Sequence, residues 1–520
     1  MMPQALLPDD STVSEKDPEH FQVWLATLPY EYPGIAAQIL VKELRRLHSA
    51  SNIRTRLKLL EPAVGPAERL LREAGKDLAR CALPMAPEVQ QDFLDINALL
   101  RTLAQYYSDV ADEIASKWIG IGFAKPLLLA TVRAMQFQAQ RLELAYRVYA
   151  RGSNSAWAEL HRLYRVARNG GFATSAPPGI DATPEQIYLN TLLLAFAEPT
   201  KLAPGELERV RHYVERHWQF AELLEADVNR PEELEADACF LIKPREARAG
   251  RSLVRAARLP IEAGDLILRC TRLQTKLLGQ LTGLERRIEP DRLGLPPAAS
   301  EPQYVVLLRS LQRLWGAPPV RRHSRQHFKP RVDIVVGFDA LITFLSGVAF
   351  RRRTAEASQN ALALELSEWA IGNESPGGFA VQYIGGKAGP VRVGEVVGLR
   401  PRDESTVHIC LMRRVVSNDL QSLELGLQKL AAVAKATTVT VLDQGSKEPA
   451  LPRPQTMQVI MLPRLPDQDS APALIAPRDA LMPGARIRAP EDGHQVTLQV
   501  SKPIEQCASC DVFALTLVAD

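Results

Sequence analysis

A chain of 520 residues is too long for one hydrophobic core and is expected to divide into roughly three or four domains. With 46% hydrophobic and 24% charged residues it has the composition of an ordinary globular protein rather than a disordered or fibrous one. A net charge of +3, from 63 basic and 60 acidic residues, argues against dedicated nucleic-acid binding.

The opening "MMPQALLPDDSTVSEKDPEHF" is acidic and broken by proline, unlike the basic and then apolar start of a secretion signal. No apolar run approaches the roughly 18 residues of a membrane span. Six cysteines, mostly scattered, suit a reducing compartment. A cytoplasmic protein is expected.

Residues up to about 235 read as helical, since "FQVWLATLPYEYPGIAAQILVKELRRL" and "FLDINALLRTLAQYYSDVADEIASKW" repeat apolar residues at three and four positions. In "ATPEQIYLNTLLLAFAEP" a helix start is written out: Thr183 to cap, Pro184 at the first helical position, Gln186 to close a capping box. "DACFLIKPREARAGRSLVRAARLP" then reads as a short strand, a basic loop and another extended piece. Two stripes follow, Leu266, Cys270, Leu273, Leu277, Leu281 and Leu284, then Tyr304, Leu308, Leu311 and Trp315, each expected to form the buried face of one helix.

Beyond "GAPPVRRHSRQHFKPR" the texture turns to strands. "RVDIVVGF", "GFAVQYI", "VRVGEVVGLRP", "TVHICLMRRVV" and "LQSLELGLQKL" alternate, and Gly, Pro, Asn and Asp separate them, which suggests a small antiparallel barrel. "DALITFLSGVAFRRRTAEASQNALALELSEW" between the first two strands is more helical and reads as an insertion. "TVTVLD", "TMQVIML", "ARIRAP", "QVTLQVS" and "VFALTLV" then make a second β module, behind the proline-rich linker "GSKEPALPRPQ".

Signatures of catalysis are missing: there is no P-loop, no GxGxxG after a strand, no GxSxG and no HExxH. Cys507 and Cys510 in "CASC" have redox spacing but sit between β segments, so they read as incidental surface or loop cysteines. His212 and His217, five apart, read as a solvated or core pair, and "YIGGKAGPV" as a β-hairpin loop. No enzyme is expected.

Two constellations are left. Arg321, Arg322 and Arg325 precede the first strand of the barrel, and guanidinium forks pair with phosphate and with the guanine edge. In "WAIGNESPGGFAVQY", Asn373 and Ser375 project to one side of an extended chain and can bond a purine edge, while Gly377 and Gly378 let a backbone approach. The same residues also make a plain turn.

Together "RRHSR", the strand after it, "NESPGG" and "CLMRRVVSNDLQSLELGLQKL" resemble a PilZ domain. Arg321 and Arg325 match that family's RxxxR, and Asn373, Ser375 and Gly378 its (D/N)xSxxG. The resemblance spans about residues 317–432 and implies a β-barrel receptor for cyclic di-GMP, with no other cofactor. It implies ligand contacts from Arg321, Arg322, Arg325, Asn373, Ser375, Gly377 and Gly378. An arm carrying the arginines would close over the nucleotide and alter a surface for an unknown protein partner, in motility, pilus or biofilm control. The alternative is a degenerate, non-binding PilZ fold used as an interaction scaffold.

The expected fold is thus multidomain α and β. It comprises a helical domain over 1–235, a short β segment with helices over 236–316, and a PilZ-like antiparallel barrel over 317–433 with a helical insertion near 339–367. A C-terminal β module over 434–520 completes it.

Overall fold

The computed structural model describes residues 18–49, 53–79, 83–116, 124–226, 236–256, 260–317, 330–345, 367–386, 389, 391–402, 404, 406–418, 422–445, 455–463, 472–491, 494–507 and 509–518. The chain divides into two compact units, Met1–Cys81 with Ala86–Pro199 and Gly205–Val320, and Ala82–Met85 with Thr200–Pro204 and Arg321–Asp520.

The first unit begins with helices α1 (Pro18–Leu25), α2 (Pro33–Ser49), α3 (Ile53–Leu78), α4 (Pro87–Ser116), α5 (Ala124–Arg147), α6 (Asn154–Asn169), α7 (Pro184–Phe196) and α8 (Glu206–His217). The expected periodicity places Phe93, Ile96, Leu99, Leu100, Leu103 and Tyr107 of α4 in the core, packed against α5. Two of the polar groups there share one partner: the Tyr107 hydroxyl donates to Glu61 Oε1 at 2.6 Å, and Arg133 reaches Glu61 Oε2 at 3.0 Å. Helix α7 starts where its sequence says, with Pro184 in the first turn and the Thr183 hydroxyl accepting the Gln186 N–H at 3.1 Å.

Strands β1 (Glu222–Glu225), β2 (Cys239–Ile242), β3 (Arg251–Ser252) and β4 (Leu266–Arg269) form an antiparallel sheet in the order β1-β4-β2-β3. Helices α9 (Leu253–Ala256), α10 (Thr271–Glu285) and α11 (Pro302–Trp315) accompany it. Here the first stripe is corrected. Leu266 lies in β4 and Cys270 just before α10, because Leu266–Arg269 is claimed by ladders to both β1 and β2. A four-residue step says nothing about such non-local pairing. The second stripe holds: Tyr304, Leu308, Leu311 and Trp315 are buried on α11, and the Trp315 indole donates to the Leu193 carbonyl of α7 at 3.0 Å. Of the two histidines, His217 is buried against Tyr213 and Gln280, and His212 is exposed.

In the second unit the described strands close into two barrels. The first is β5 (Arg331–Val336), β6 (Ser367–Ser375), β7 (Gly378–Gly386), β8 (Val396–Pro401), β9 (His408–Asn418) and β10 (Ser422–Ala431), in the order β10-β7-β6-β5-β8-β9. Helix α12 (Phe338–Leu345) follows β5, and residues 346–366 of the expected helical insertion lie outside the described residues. The second barrel is β11 (Lys435–Asp443), β12 (Gln455–Leu462), β13 (Ala473–Pro477), β14 (Arg486–Glu491), β15 (His494–Gln506) and β16 (Cys510–Leu517), in the order β11-β12-β13-β16-β15-β14. Strand β13, "ALIAP", is short and ends on proline, and the sequence reading passes over it.

Two further readings are corrected. "YIGGKAGPV" does not turn a hairpin, since β7 pairs with β6 and β10 while β8 pairs with β5 and β9. Glycines mark a loop but do not choose the strand it leads to. Cys507 and Cys510 are not surface residues; they are 3% and 0% exposed, inside an apolar cluster shared by both barrels. That cluster joins Phe338, Leu341 and Ile342 of α12 to Ile460, Ile475 and Val512 of the second barrel.

Candidate functional site

Simple alternation along β6 would put Trp369, Ile371, Asn373 and Ser375 on one side of the barrel wall. Trp369 and Ile371 do point inward, at 0% and 2% exposure. The next two do not follow them. Ile371 pairs with Val381, but Ala380 pairs with Asn373 rather than with Gly372. Gly372 is therefore the extra residue of a β-bulge, and it shifts the pleat by one. On β7 the buried Phe379 and Val381 face in, so Ala380 faces out, and Asn373 beside it with Ser375 beside Gly378 face out too.

The outward row continues across the sheet. Ala380 pairs with Gly426 of β10, and Gly426 with Arg414 of β9, where a second bulge at Arg413 breaks the register at the same level. Asn373 and Arg414 thus end a floor whose middle, Ala380 and Gly426, is nearly bare of side chains. Three inter-strand spacings, about 14 Å, separate the ends. A Cβ at Gly426 would lie 3.1 Å from the Arg414 Cβ, so any side chain there would crowd the arginine.

The turn itself is tightly tied. Pro376 and Gly377 link the paired Ser375 and Gly378, and the Ser375 hydroxyl donates to the Gly378 carbonyl at 3.3 Å. Lys429 of β10 donates its backbone N–H to the Gly377 carbonyl at 3.0 Å. Gly378 has φ +152°, and a Cβ on it would sit 1.9 Å from the Leu427 carbonyl oxygen. The close approach that Gly378 permits is thus made by β10.

Cations ring the floor, already partnered. Arg414 pairs with Glu424 at 3.0 Å. Arg413 donates to Gln428 at 2.7 Å and forks onto Glu505 of β15 at 2.9 and 2.7 Å. At the barrel end Lys429 lies 4.7 Å over the Phe379 ring and 3.9 Å from Glu374. Burial, helped by the Lys429 charge, holds His408 below its ordinary value and so neutral. Arg331 contacts Glu368, which also takes Arg402 at 2.9 Å, and it stands beside Ala370, three residues before Asn373.

The structure thus brings Asn373, Ser375, Gly377 and Gly378 to one end of an outward-facing row whose middle residue, Ala380, is 7% exposed. Arg321, Arg322 and Arg325 lie outside the described residues. Sequence reasoning missed Gly372, Ala380, Gly426 and the Arg413–Arg414 bulge. A lone glycine inside an alternating run is the signal that could have found the first bulge.

Residues 19–227 match the family model described as "Cyclic-di-GMP receptor FimW, N-terminal domain". Comparison with curated proteins and with solved structures finds no match.

Proposed function

We propose that the first barrel is a PilZ-type face that binds cyclic di-GMP, a reading supported by the similarity of residues 19–227 to the N-terminal domain of the cyclic-di-GMP receptor FimW. The observation that carries this reading is the bulge at Gly372, which turns Asn373 and Ser375 outward onto the bare floor of Ala380 and Gly426. An amide and a hydroxyl beside a flat floor suit a purine, whose edge needs hydrogen bonds and whose face needs a surface without protruding side chains. Among the described residues, the cations named around this face, Arg331, Arg413, Arg414 and Lys429, already hold carboxylate partners. Arg321, Arg322 and Arg325, in the segment leading into β5, would meet two phosphates bidentately.

In this reading the protein is a cytoplasmic effector without enzymatic activity. Nucleotide occupancy is coupled to a protein partner, in motility, pilus or biofilm control. No helix among the described residues is long and apolar enough to cross a membrane. The scaffold reading draws on a different observation, that Ser375 and Arg413 already hold internal partners.

Calorimetry with the full chain decides between them. Cyclic di-GMP is expected to bind with Kd below about 100 µM. Arg325→Ala and Ser375→Ala should each weaken binding, the arginine by roughly tenfold or more, since a charge-assisted hydrogen bond contributes about 1.5–3 kcal/mol. Absence of heat up to that concentration selects the scaffold.

A further inference from the structure

A cavity of about 450 Å³ opens on α10 of the helical unit, beside the short helical turns Trp218–Phe220 and Pro290–Leu293, and the cyclic di-GMP reading does not use it. Arg272, Lys276 and Gly279 step by four and three along α10, so they share the face that lines it. Phe220 and Leu293 add apolar surface, and Arg292 brings a third cation from the second turn. Among the described residues no acidic side chain lines the cavity.

That face is built against the stability of its own helix. Arg272 and Lys276 are like charges one turn apart, which costs about 0.2–0.5 kcal/mol. Gly279 sits inside α10, where glycine costs about 1 kcal/mol relative to alanine. A Cβ on Gly279 would meet nothing within 4 Å, so no neighbour requires the glycine. The cations are also short of partners. Among the described residues Lys276 and Arg292 have no carboxylate; Lys276 only stands 5.8 Å over the Phe220 ring. Arg272 reaches Glu222 at 3.3 Å, but Arg269 holds the same carboxylate at 2.5 Å. Gln280, the amide at the cavity, accepts from Tyr213 at 2.8 Å and donates to the Leu293 carbonyl at 3.0 Å. What the cavity leaves unmet is therefore positive charge.

The volume falls in the range of about 300–1,000 Å³ common to small-molecule sites. Two unpaired cations and a third that is shared balance a little more than two negative charges. A phosphate monoester, at about −1.5 to −2 near neutral pH, matches that better than a single carboxylate. The Phe220 ring and the backbone bared at Gly279 offer flat ground beside the charges.

We propose that this cavity is a second binding site, for a small organic phosphate monoester that carries a planar group, of the size of a mononucleotide. Its phosphate meets Lys276, Arg292 and Arg272, and its ring lies against Phe220 and the helix backbone at Gly279. Because the site lies in the helical unit and the Asn373 face in the other, each is tested without reference to the other.

The probes are AMP and phenyl phosphate, titrated against the full chain by ligand-observed NMR. Adenosine serves as the uncharged control and inorganic phosphate as the ringless one. At least one probe should bind saturably with Kd below about 1 mM, and both controls about tenfold more weakly or worse. Lys276→Glu and Arg292→Glu should each weaken the bound probe by about tenfold or more. Gly279→Leu fills open space on a helix that it also favours, so it should keep or raise the melting temperature while weakening the probe by about tenfold. In wild-type protein the probe should shift the methyl signals of Thr275 and Leu293, which line the same cavity. The proposal is overturned if neither probe binds, if a control binds as well as the probes, if folded Gly279→Leu keeps the affinity, or if the shifts fall elsewhere.

Discussion

Gly377 and Gly378 stand side by side in the turn between β6 and β7, yet only Gly378 is constrained by what surrounds it. A Cβ at Gly378 would overlap the Leu427 carbonyl, while one at Gly377 would meet nothing within 4 Å. Gly378→Ala should therefore destabilise the first barrel by more than about 2 kcal/mol, and Gly377→Ala by less than about 0.5 kcal/mol. Trp369 is the one tryptophan between residues 321 and 520, and its resonance in 5-fluorotryptophan-labelled protein, followed through denaturant, reports this barrel. Equal losses from the two variants would refute the assignment. In the helical unit, His161 donates from Nε2 to the Arg248 carbonyl at 2.8 Å and accepts the Tyr188 hydroxyl at Nδ1, 2.6 Å away. Burial, with a smaller push from Arg165, holds it below its ordinary 6.5. A depressed histidine favours folding while neutral, so its contribution is complete above 6.5 and is lost as pH falls from there toward the lowered value. Thermal melting of the helical unit should drop across that window, and His161→Gln should flatten the drop without abolishing it, because His48 and His217 are lowered as well. An unchanged slope in the variant would show that His161 does not carry it.

The bulge at Gly372 works at the scale of the strand. Deleting Gly372 would restore simple alternation and swing Asn373 and Ser375 toward the interior occupied by Trp369 and Ile371. Gly372→Ala should be mild, since its Cβ would make only an ordinary 3.6 Å contact with the Ala380 carbonyl. The deletion is therefore expected to abolish cyclic di-GMP binding and the alanine variant to keep it within about threefold, or about 0.7 kcal/mol. Binding that survives the deletion would mean the outward row is not the site. Strands and caps of this kind are partly written in the sequence. Thr183 and Gln186 announce α7 because a cap is a contact between near neighbours. The alternation of "LELGLQKL" announces β10 because a pleat is local too. Leu266 misleads for the opposite reason: a strand of four residues is decided by partners far along the chain. The bulge is intermediate, since Gly372 is visible in the sequence but its consequence depends on the register with β7.

Closure of the barrels is a property of the whole second unit. Nothing in "YIGGKAGPV" tells that β7 and β8 have different neighbours, nor does "CASC" tell that its cysteines lie in a core. Both follow from how the strands wrap and from the apolar cluster joining the barrels. Ile475 of the second barrel is fully buried in that cluster. Ile475→Ala should cost about 2–5 kcal/mol and move the Trp369 transition of the first barrel with it. A Trp369 midpoint left in place would show that the barrels unfold independently. The shared cluster also governs where the chain tolerates cutting. A fragment ending at Ala431 would bare Phe338, Leu341 and Ile342 to water, and one beginning at Lys435 would bare Ile460, Ile475 and Val512. Each half would be an adhesive, aggregation-prone body rather than a soluble module. A protease or a cloning boundary between the two barrels should therefore yield insoluble pieces.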